Sequence, residues 1–174
     1  MINGRGKWSV ALFILMCSFF VAAGTPIEIT GRLIIPDCKI NNGNVVEFNW
    51  GDLRIQDFDN SNTVYFARNF DIPLGCPYIL GTPKMVVSSA AIHDAQQGVI
   101  QTSKYNEGLV IFLRKKDGTE VLPLNVETDP TESLSGSGND KVLTLNAGIG
   151  RLYDMQNLTA GAFTAAAHLQ IWYD

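Results

Sequence analysis

Few residues of this 174-residue chain have types and spacings that suggest chemistry. Cys38 and Cys76 stand apart from the third cysteine, and His93 is followed by Asp94. Two cysteines cannot form a structural zinc site alone, and neither histidine has ligand spacing to them. The sequence lacks G-x-S-x-G, H-E-x-x-H and a phosphate-binding glycine loop. We therefore predict a protein that is not an enzyme and has no catalytic, cofactor or metal site.

Four other side chains need a structural interpretation. Asp57 and Asp59 could attract calcium, but the EF-hand pattern is absent, so we expect them to be solvated. Trp50 and Trp172 could stack on a sugar ring, but packing in the core or at an interface is the stronger expectation for such large aromatic groups. Disulfide formation is the remaining chemistry that the sequence suggests.

The first 24 residues predict a secretory signal peptide. Arg5 and Lys7 give a positive start, residues 10–21 are an unbroken apolar run, and small residues follow. The apolar run is too short for a membrane-spanning helix, which needs about 20 residues. Export places Cys38 and Cys76 in an oxidising compartment, where an isolated pair indicates one disulfide.

Composition limits the fold and the partners. The net charge of −4 and the pI of about 5.1 argue against a nucleic-acid partner, which requires clustered Lys and Arg. Only 17% of the residues are charged and 16 are glycine, as in proteins rich in β-strands and turns. The length suits one domain after the signal.

Two-residue alternation is frequent, and helical periodicity is hard to find. We predict strands at 27–35, 45–50, 63–74, 84–91, 141–146 and 163–173, and a loop at 129–140. Asp117-Gly118 predicts a hairpin between strands at 109–114 and 120–124. Many short strands separated by turns indicate an antiparallel β-sandwich.

The two ends of the mature chain carry the most specific patterns. The first segment alternates apolar residues around one glycine: Ile27, Ile29, Gly31, Leu33 and Ile35. Glycine in a strand often marks close approach by another group. The last segment alternates to a penultimate tyrosine: Phe163, Ala165, Ala167, Leu169, Ile171 and Tyr173, before Asp174. On that parity His168 faces outward. Gly161 is the fourteenth residue from the end.

Together these features resemble the pilin subunits of the chaperone–usher fimbriae of Gram-negative bacteria. That family combines a signal peptide, an alternating extension with a glycine, a disulfide, and a terminal strand with a penultimate Tyr and a Gly near position fourteen from the end. The resemblance covers the whole mature chain. The segment 29–48 is similar to the corresponding region of minor tip or adaptor subunits of P-type pili. The length excludes a two-domain tip adhesin.

The resemblance implies an all-β, incomplete immunoglobulin-like sandwich that lacks its final strand. It divides the chain into a signal peptide (1–24), a donor-strand extension (25–36) and a pilin domain (37–174). The extension, with its apolar residues and Gly31, would complete a neighbouring subunit. The residues implied for the groove-edge strand, which a periplasmic chaperone binds, are Gly161, Phe163, Ala165, Ala167, Leu169, Ile171, Tyr173 and Asp174.

The implied partners are that chaperone, an outer-membrane usher and neighbouring pilins, with export through the periplasm to a fimbria on the cell surface. A minor tip or adaptor subunit is the preferred role. A major rod subunit or a terminator remains an alternative within the family. A self-contained secreted β-sandwich that binds a ligand such as a carbohydrate is the alternative from another class.

Overall fold

A computed structural model describes residues 27–174 of the chain. The predicted signal peptide, residues 1–24, lies outside the described residues. The described residues belong to two units of the chain, residues 27–33 to the first and Ile34–Asp174 to the second. The described part of the first unit, residues 27–33, has no regular secondary structure, and its apolar side chains are exposed. The strand predicted at 27–35 is therefore not formed in the isolated chain.

The second unit contains two antiparallel β-sheets. The larger sheet has the order β1-β2-β9-β6-β5-β4, and β8 also pairs with β9. Its strands are β1 (Lys39–Ile40), β2 (Tyr65–Gly75), β4 (Ile92–Asp94), β5 (Val99–Gln101), β6 (Leu109–Lys115), β8 (Leu134–Ser137) and β9 (Asp140–Arg151). The smaller sheet has the order β10-β3-β7. Its strands are β3 (Pro83–Ser88), β7 (Glu127–Thr128) and β10 (His168–Tyr173).

The core lies between the sheets and follows the strand alternation. In β9 the side chains of Leu143, Leu145 and Ile149 are buried, and in β3 Met85 has no exposed surface. In β10, Ile171 and Tyr173 are buried while His168 and Gln170 are exposed. The predicted parity of the last strand, with His168 outward, is thus confirmed.

Several predicted boundaries were wrong. Residues 120–124 are not a strand and contribute one isolated bridge, between Arg114 and Val121. The predicted loop at 129–140 contains β8, whose Ser135 and Gly136 pair with β9. Strands β4 and β5 were not predicted, and residues 45–50 and 163–167 belong to no strand.

The Cys38–Cys76 disulfide is formed. It lies beside the short β1–β2 ladder, in which Lys39 pairs with Gly75. It therefore ties the start of the domain to the end of the long strand β2, as the spacing of the cysteines suggested.

Arg151, at the end of β9, is a buried cation with backbone partners. Its Nε donates to the Phe58 carbonyl at 2.7 Å, one terminal nitrogen donates to the Asp59 carbonyl at 2.7 Å, and the other donates to the Tyr153 carbonyl. Only 7% of the residue is exposed. These bonds fasten the loop before β2 to the large sheet.

We expect Arg151→Met to lower the free energy of unfolding by about 3 kcal/mol, because the buried guanidinium and its three hydrogen bonds to backbone carbonyls are lost. Urea denaturation of the oxidised chain measures this effect. The control is Arg54→Met: Arg54 is exposed and pairs with Asp57, so its loss is expected to cost no more than about 1 kcal/mol. Equal effects of the two substitutions would contradict the role given to Arg151.

Within residues 27–174, no helix is long and apolar enough to cross a membrane.

Candidate functional site

Within residues 27–174, the terminal strand β10 has a single strand partner, β3. It bonds to β3 along its whole length, from the His168–Ser88 pair to the Tyr173–Pro83 pair. Beyond the ladder, Asp174 and Thr82 exchange two backbone hydrogen bonds of 3.2 and 2.9 Å. Even-numbered residues therefore direct their backbone groups toward β3, and odd-numbered residues direct theirs away from it.

The same alternation continues upstream, where residues 162–167 belong to no strand. Thr164 accepts a hydrogen bond from the Ser103 N–H at 2.8 Å and donates to the Ser103 hydroxyl at 3.1 Å. The Ser89 hydroxyl donates to the Ala166 carbonyl at 2.8 Å. These bonds use even-numbered residues. In the described part of the chain, the backbone groups of the odd-numbered residues from 163 to 173 make one hydrogen bond, from the Cys38 N–H to the Ile171 carbonyl at 3.1 Å.

A second segment with few backbone partners faces the same core. Val46, Phe48 and Trp50 are half-buried and pack against the core, while the residues between them are exposed. This alternation is the reason for predicting a strand at 45–50. The segment forms no ladder within the described residues, because a strand needs a hydrogen-bonded neighbour and none is present there.

We call the space between residues 38–50 and residues 163–171 the open groove. At one end the Cys38–Ile171 bond joins its two walls. Farther along, the rings of Trp50 and Phe163 approach with centroids 6.3 Å apart. A separate cleft of about 600 Å³ is lined by residues that include Ile55 and Leu158. The groove thus has an apolar floor between two largely unpaired edges.

Aromatic packing fixes the floor of the groove. The Trp50 Nε1–H donates to the Phe66 carbonyl at 3.0 Å. Phe48 contacts Trp50 edge-on at 4.5 Å between centroids and lies 5.0 Å from Phe70. Trp50 therefore acts as a packing residue and does not present its face to a sugar. Along the other wall Ala165 and Ala167 are exposed and small, which leaves space in front of Leu169.

A polar cluster holds the upstream end of the second wall. The Lys104 ammonium binds Glu107 at 3.0 Å and the Thr159 hydroxyl at 2.8 Å. The Thr159 N–H donates to Glu107 at 2.8 Å and, with Lys104, lowers the pKa of that carboxyl. The cluster is therefore formed at neutral pH and is lost as the pH falls through the lowered pKa. Gly161 follows at φ +140°, a conformation that favours glycine.

The N-terminal segment is exposed along its alternating positions. Ile27, Ile29 and Leu33 have exposed fractions of 85%, 90% and 101%, and Ile35 is 47% exposed. Nothing lies within 4 Å of the position that a Gly31 side chain would occupy. Apolar side chains at this exposure indicate an interaction surface.

The remaining candidates lie outside the groove. His93 is exposed and its Nδ1 hydrogen-bonds the Tyr105 hydroxyl at 3.0 Å. Asp57 pairs with Arg54 at 2.8 Å. Residues 27–174 contain no group of three or more His, Cys, Asp or Glu side chains that could hold a metal ion. The prediction of no metal site remains a prediction.

The fimbrial protein family model matches residues 27–174 of the chain. The chain belongs to the fimbrial protein family. Its relatives include the fimbrial protein PrsE of Escherichia coli, 32% identical over 168 residues that cover 94% of each chain. The fimbrial adapter PapF of Escherichia coli is 27% identical over 67% of this chain and 68% of its own length.

Structural comparison agrees with this membership. The crystal structure of the P pilus rod subunit PapA matches with a TM-score of 0.59 at 20% identity, covering 86% of this chain and all of PapA. The fold is therefore the incomplete immunoglobulin-like sandwich of chaperone–usher pilus subunits, lacking its final strand. The chain is an exported structural subunit of a fimbria on the cell surface.

Proposed function

We propose that this fimbrial subunit accepts the extension of one neighbour in its open groove and donates its own residues 27–35 to another. The observation that carries the proposal is the odd-numbered edge of residues 163–173, which lies beside an apolar floor and makes one backbone hydrogen bond within the described residues. The exposed alternating segment at the other end of the same chain has the pattern that such a groove requires.

The physical basis is strand addition. A strand placed in the groove would hydrogen-bond to residues 163–173 on one side and to residues 45–50 on the other. Its inward side chains would cover the core between Leu169 and Trp50. Unpaired strand edges are prone to aggregation, so an empty groove is a liability during export. A periplasmic chaperone would occupy the groove until the outer-membrane usher passes the subunit to its neighbour.

Gly31 has a specific place in this arrangement. The contact between Trp50 and Phe163 raises the floor of the groove, so a strand crossing it there has space only for a very small side chain. The aliphatic residues on either side of such a glycine would lie over Ala165 and Ala167. A donor with the pattern of residues 27–35 satisfies both requirements.

The contact between subunits is head-to-tail, because the donating segment and the accepting groove are different surfaces. Such a contact leaves a free groove at one end of the assembly and a free extension at the other, so further subunits can be added to form a filament. We propose no catalytic activity, because the chain's contribution is packing and main-chain hydrogen bonding.

Within the fimbria we propose a minor, adaptor-type position. The support is sequence similarity to a relative named as a fimbrial adapter. The rod subunit PapA shares the fold at lower sequence identity. This similarity supports the fold of the chain and does not bear on its position in the fimbria.

The test changes the donating N-terminal segment and the accepting C-terminal strand in separate variants. Deleting residues 25–35 is expected to leave chaperone capture unchanged and to reduce attachment to a neighbour's groove by roughly tenfold or more, since four aliphatic side chains are lost. Tyr173→Ala, which truncates a residue only 7% exposed in the terminal strand, should instead reduce chaperone capture. Chaperone capture is measured by co-purification from the periplasm, and attachment to a neighbour's groove is measured by polymerisation in vitro.

Tyr153→Ala is the matched control, because Tyr153 is 47% exposed and lies outside the groove. It should change neither step. Loss of chaperone capture after the deletion would overturn the division between the donating and accepting ends. Normal capture of Tyr173→Ala would overturn the assignment of the terminal strand.

A further inference from the structure

The turn between β1 and residues 45–50 contains three successive left-handed residues. Asn41, Asn42 and Gly43 have φ values of +43°, +54° and +85°. This region is unfavourable for L-residues, and glycine and, less readily, asparagine or aspartate are the types that adopt it. The Asn44 N–H closes the turn by donating to the Asn41 carbonyl at 2.9 Å. The backbone of the turn therefore explains why its residues are two asparagines and a glycine.

The side chains of the two left-handed asparagines have different surroundings. The Asn41 Nδ2 donates to the Asn44 and Val45 carbonyls at 3.3 and 2.9 Å, so that amide is held against the backbone. Asn42 and Gly43 are both exposed. Within the described residues the Asn42 side chain makes no hydrogen bond. A free carboxamide thus lies in solvent beside a peptide bond to glycine.

We propose that Asn42 is a site of spontaneous deamidation. The Gly43 amide nitrogen attacks the side-chain carbonyl carbon of Asn42 and forms a new C–N bond. The bond to the side-chain nitrogen breaks, and ammonia leaves with the proton of the attacking N–H. Water then opens the five-membered succinimide at either carbonyl, which gives aspartate or isoaspartate. Glycine favours the attack because it has no Cβ to hinder the approach of its nitrogen.

Local structure distinguishes Asn42 from the other asparagines. Within residues 27–174, it is the one asparagine that glycine follows. Asn62 is also exposed and has nearly the same φ, +55°, but the β-branched Thr63 follows it. Asn146 precedes the small Ala147, but it is only 7% exposed and its Nδ2 donates a side-chain hydrogen bond of 2.7 Å. Exposure and an unhindered neighbour therefore coincide at Asn42.

The position of Asn42 gives the modification a structural consequence. The turn connects Cys38, which bonds to the Ile171 carbonyl, to residues 45–50 on the same wall of the open groove. Aspartate adds a negative charge, whereas isoaspartate also routes the main chain through the side-chain carbon and lengthens the turn. We expect the isoaspartate form to hold residues 45–50 less firmly against the core. This consequence rests on the proposed function, and the modification itself does not.

The test is peptide mapping by mass spectrometry of the full mature chain, oxidised and incubated in mildly alkaline buffer. Cleavage after lysine and arginine releases residues 40–54, which contain Asn42 and no cysteine, and residues 55–68, which contain Asn60 and Asn62. Asn42 is expected to convert severalfold faster than either asparagine of the second peptide. The rate should rise with pH, because the attacking amide must lose its proton, and both aspartate and isoaspartate should form.

Substitutions in the turn test the mechanism. Gly43→Ala should slow the conversion severalfold, and its Cβ would meet only the Lys39 side chain, at 3.8 Å. Gly118→Ala is the matched control, because it places alanine at a similar φ, +73°, in another turn and should leave the Asn42 rate unchanged. Should Gly43→Ala prevent folding, Asn42→Gln provides the second variant. It should abolish the early mass change in residues 40–54, because the longer side chain must form a less accessible six-membered ring.

The outcomes separate the modification from its effect on the groove. Conversion of Asn42 no faster than that of Asn62 would overturn the proposal, and so would an unchanged rate in Gly43→Ala. The effect on the groove is measured by thermal unfolding of the unmodified and isoaspartate fractions with a synthetic peptide of residues 25–36. If the peptide does not stabilise the unmodified chain, the proposed function fails and the deamidation site stands. If it stabilises both fractions equally, the effect on the groove is overturned.

Discussion

Replacing both Cys38 and Cys76 with serine is expected to remove about 4 kcal/mol of unfolding free energy, the loop-closure value for a bridge that spans 38 residues. A loss of that size changes the folding equilibrium by roughly a thousandfold. It is also comparable to the whole net stability of many domains, about 5–15 kcal/mol. A sandwich that lacks one strand has little stability in reserve, so the variant should be largely unfolded without a partner.

The position of the bridge adds a second effect. Cys38 donates its N–H to the Ile171 carbonyl, so the bridge also fixes the point at which the two walls of the open groove meet. Loss of the disulfide should therefore loosen the groove in the folded state. This effect is additional to the loss of the constraint on the denatured state.

The measurement is urea unfolding of the double variant and the oxidised parent, both with a saturating donor peptide so that each begins folded. The oxidised parent treated with a reductant is the control for the serine substitutions. A difference below about 1 kcal/mol between parent and variant would contradict the entropic role assigned to the bridge.

The sequence predicts the ends of this protein better than its middle. The alternation at the end of the chain correctly predicts which side chains of His168–Tyr173 face the core, since a strand has a strict period of two. Within that segment only His168–Tyr173 is a strand, because only those residues have the partner β3. Residues 45–50 show the same limit. Their alternation is visible in the sequence, but the sequence does not show that they have no strand partner within the described residues.

Errors in the middle of the chain have local causes. β4 and β5 have three residues each, too few for alternation to be recognised. β8 contains Ser135 and Gly136 and has the composition of a loop, but it is held by pairing with β9.

The central claim is that the core lacks one strand which another chain supplies. A donor peptide with the sequence of residues 25–36 would bury Ile27, Ile29, Leu33 and Ile35, each contributing about 1.5–3 kcal/mol on full burial. For a domain of this size, each kcal/mol raises Tm by about 2–4 °C. After the cost of ordering the peptide, the net gain is expected to be about 20 °C or more.

Thermal unfolding of the oxidised chain, starting just before Cys38 to prevent self-assembly, tests this most directly. It is recorded alone, with the donor peptide, and with a control peptide in which Gly31→Trp obstructs the crossing over Trp50 and Phe163. We predict a poorly stable domain that gains tens of degrees with the donor peptide and far less with the control. A domain that melts cooperatively alone and is unchanged by the donor peptide would contradict the account, because its sandwich would be complete or its groove closed.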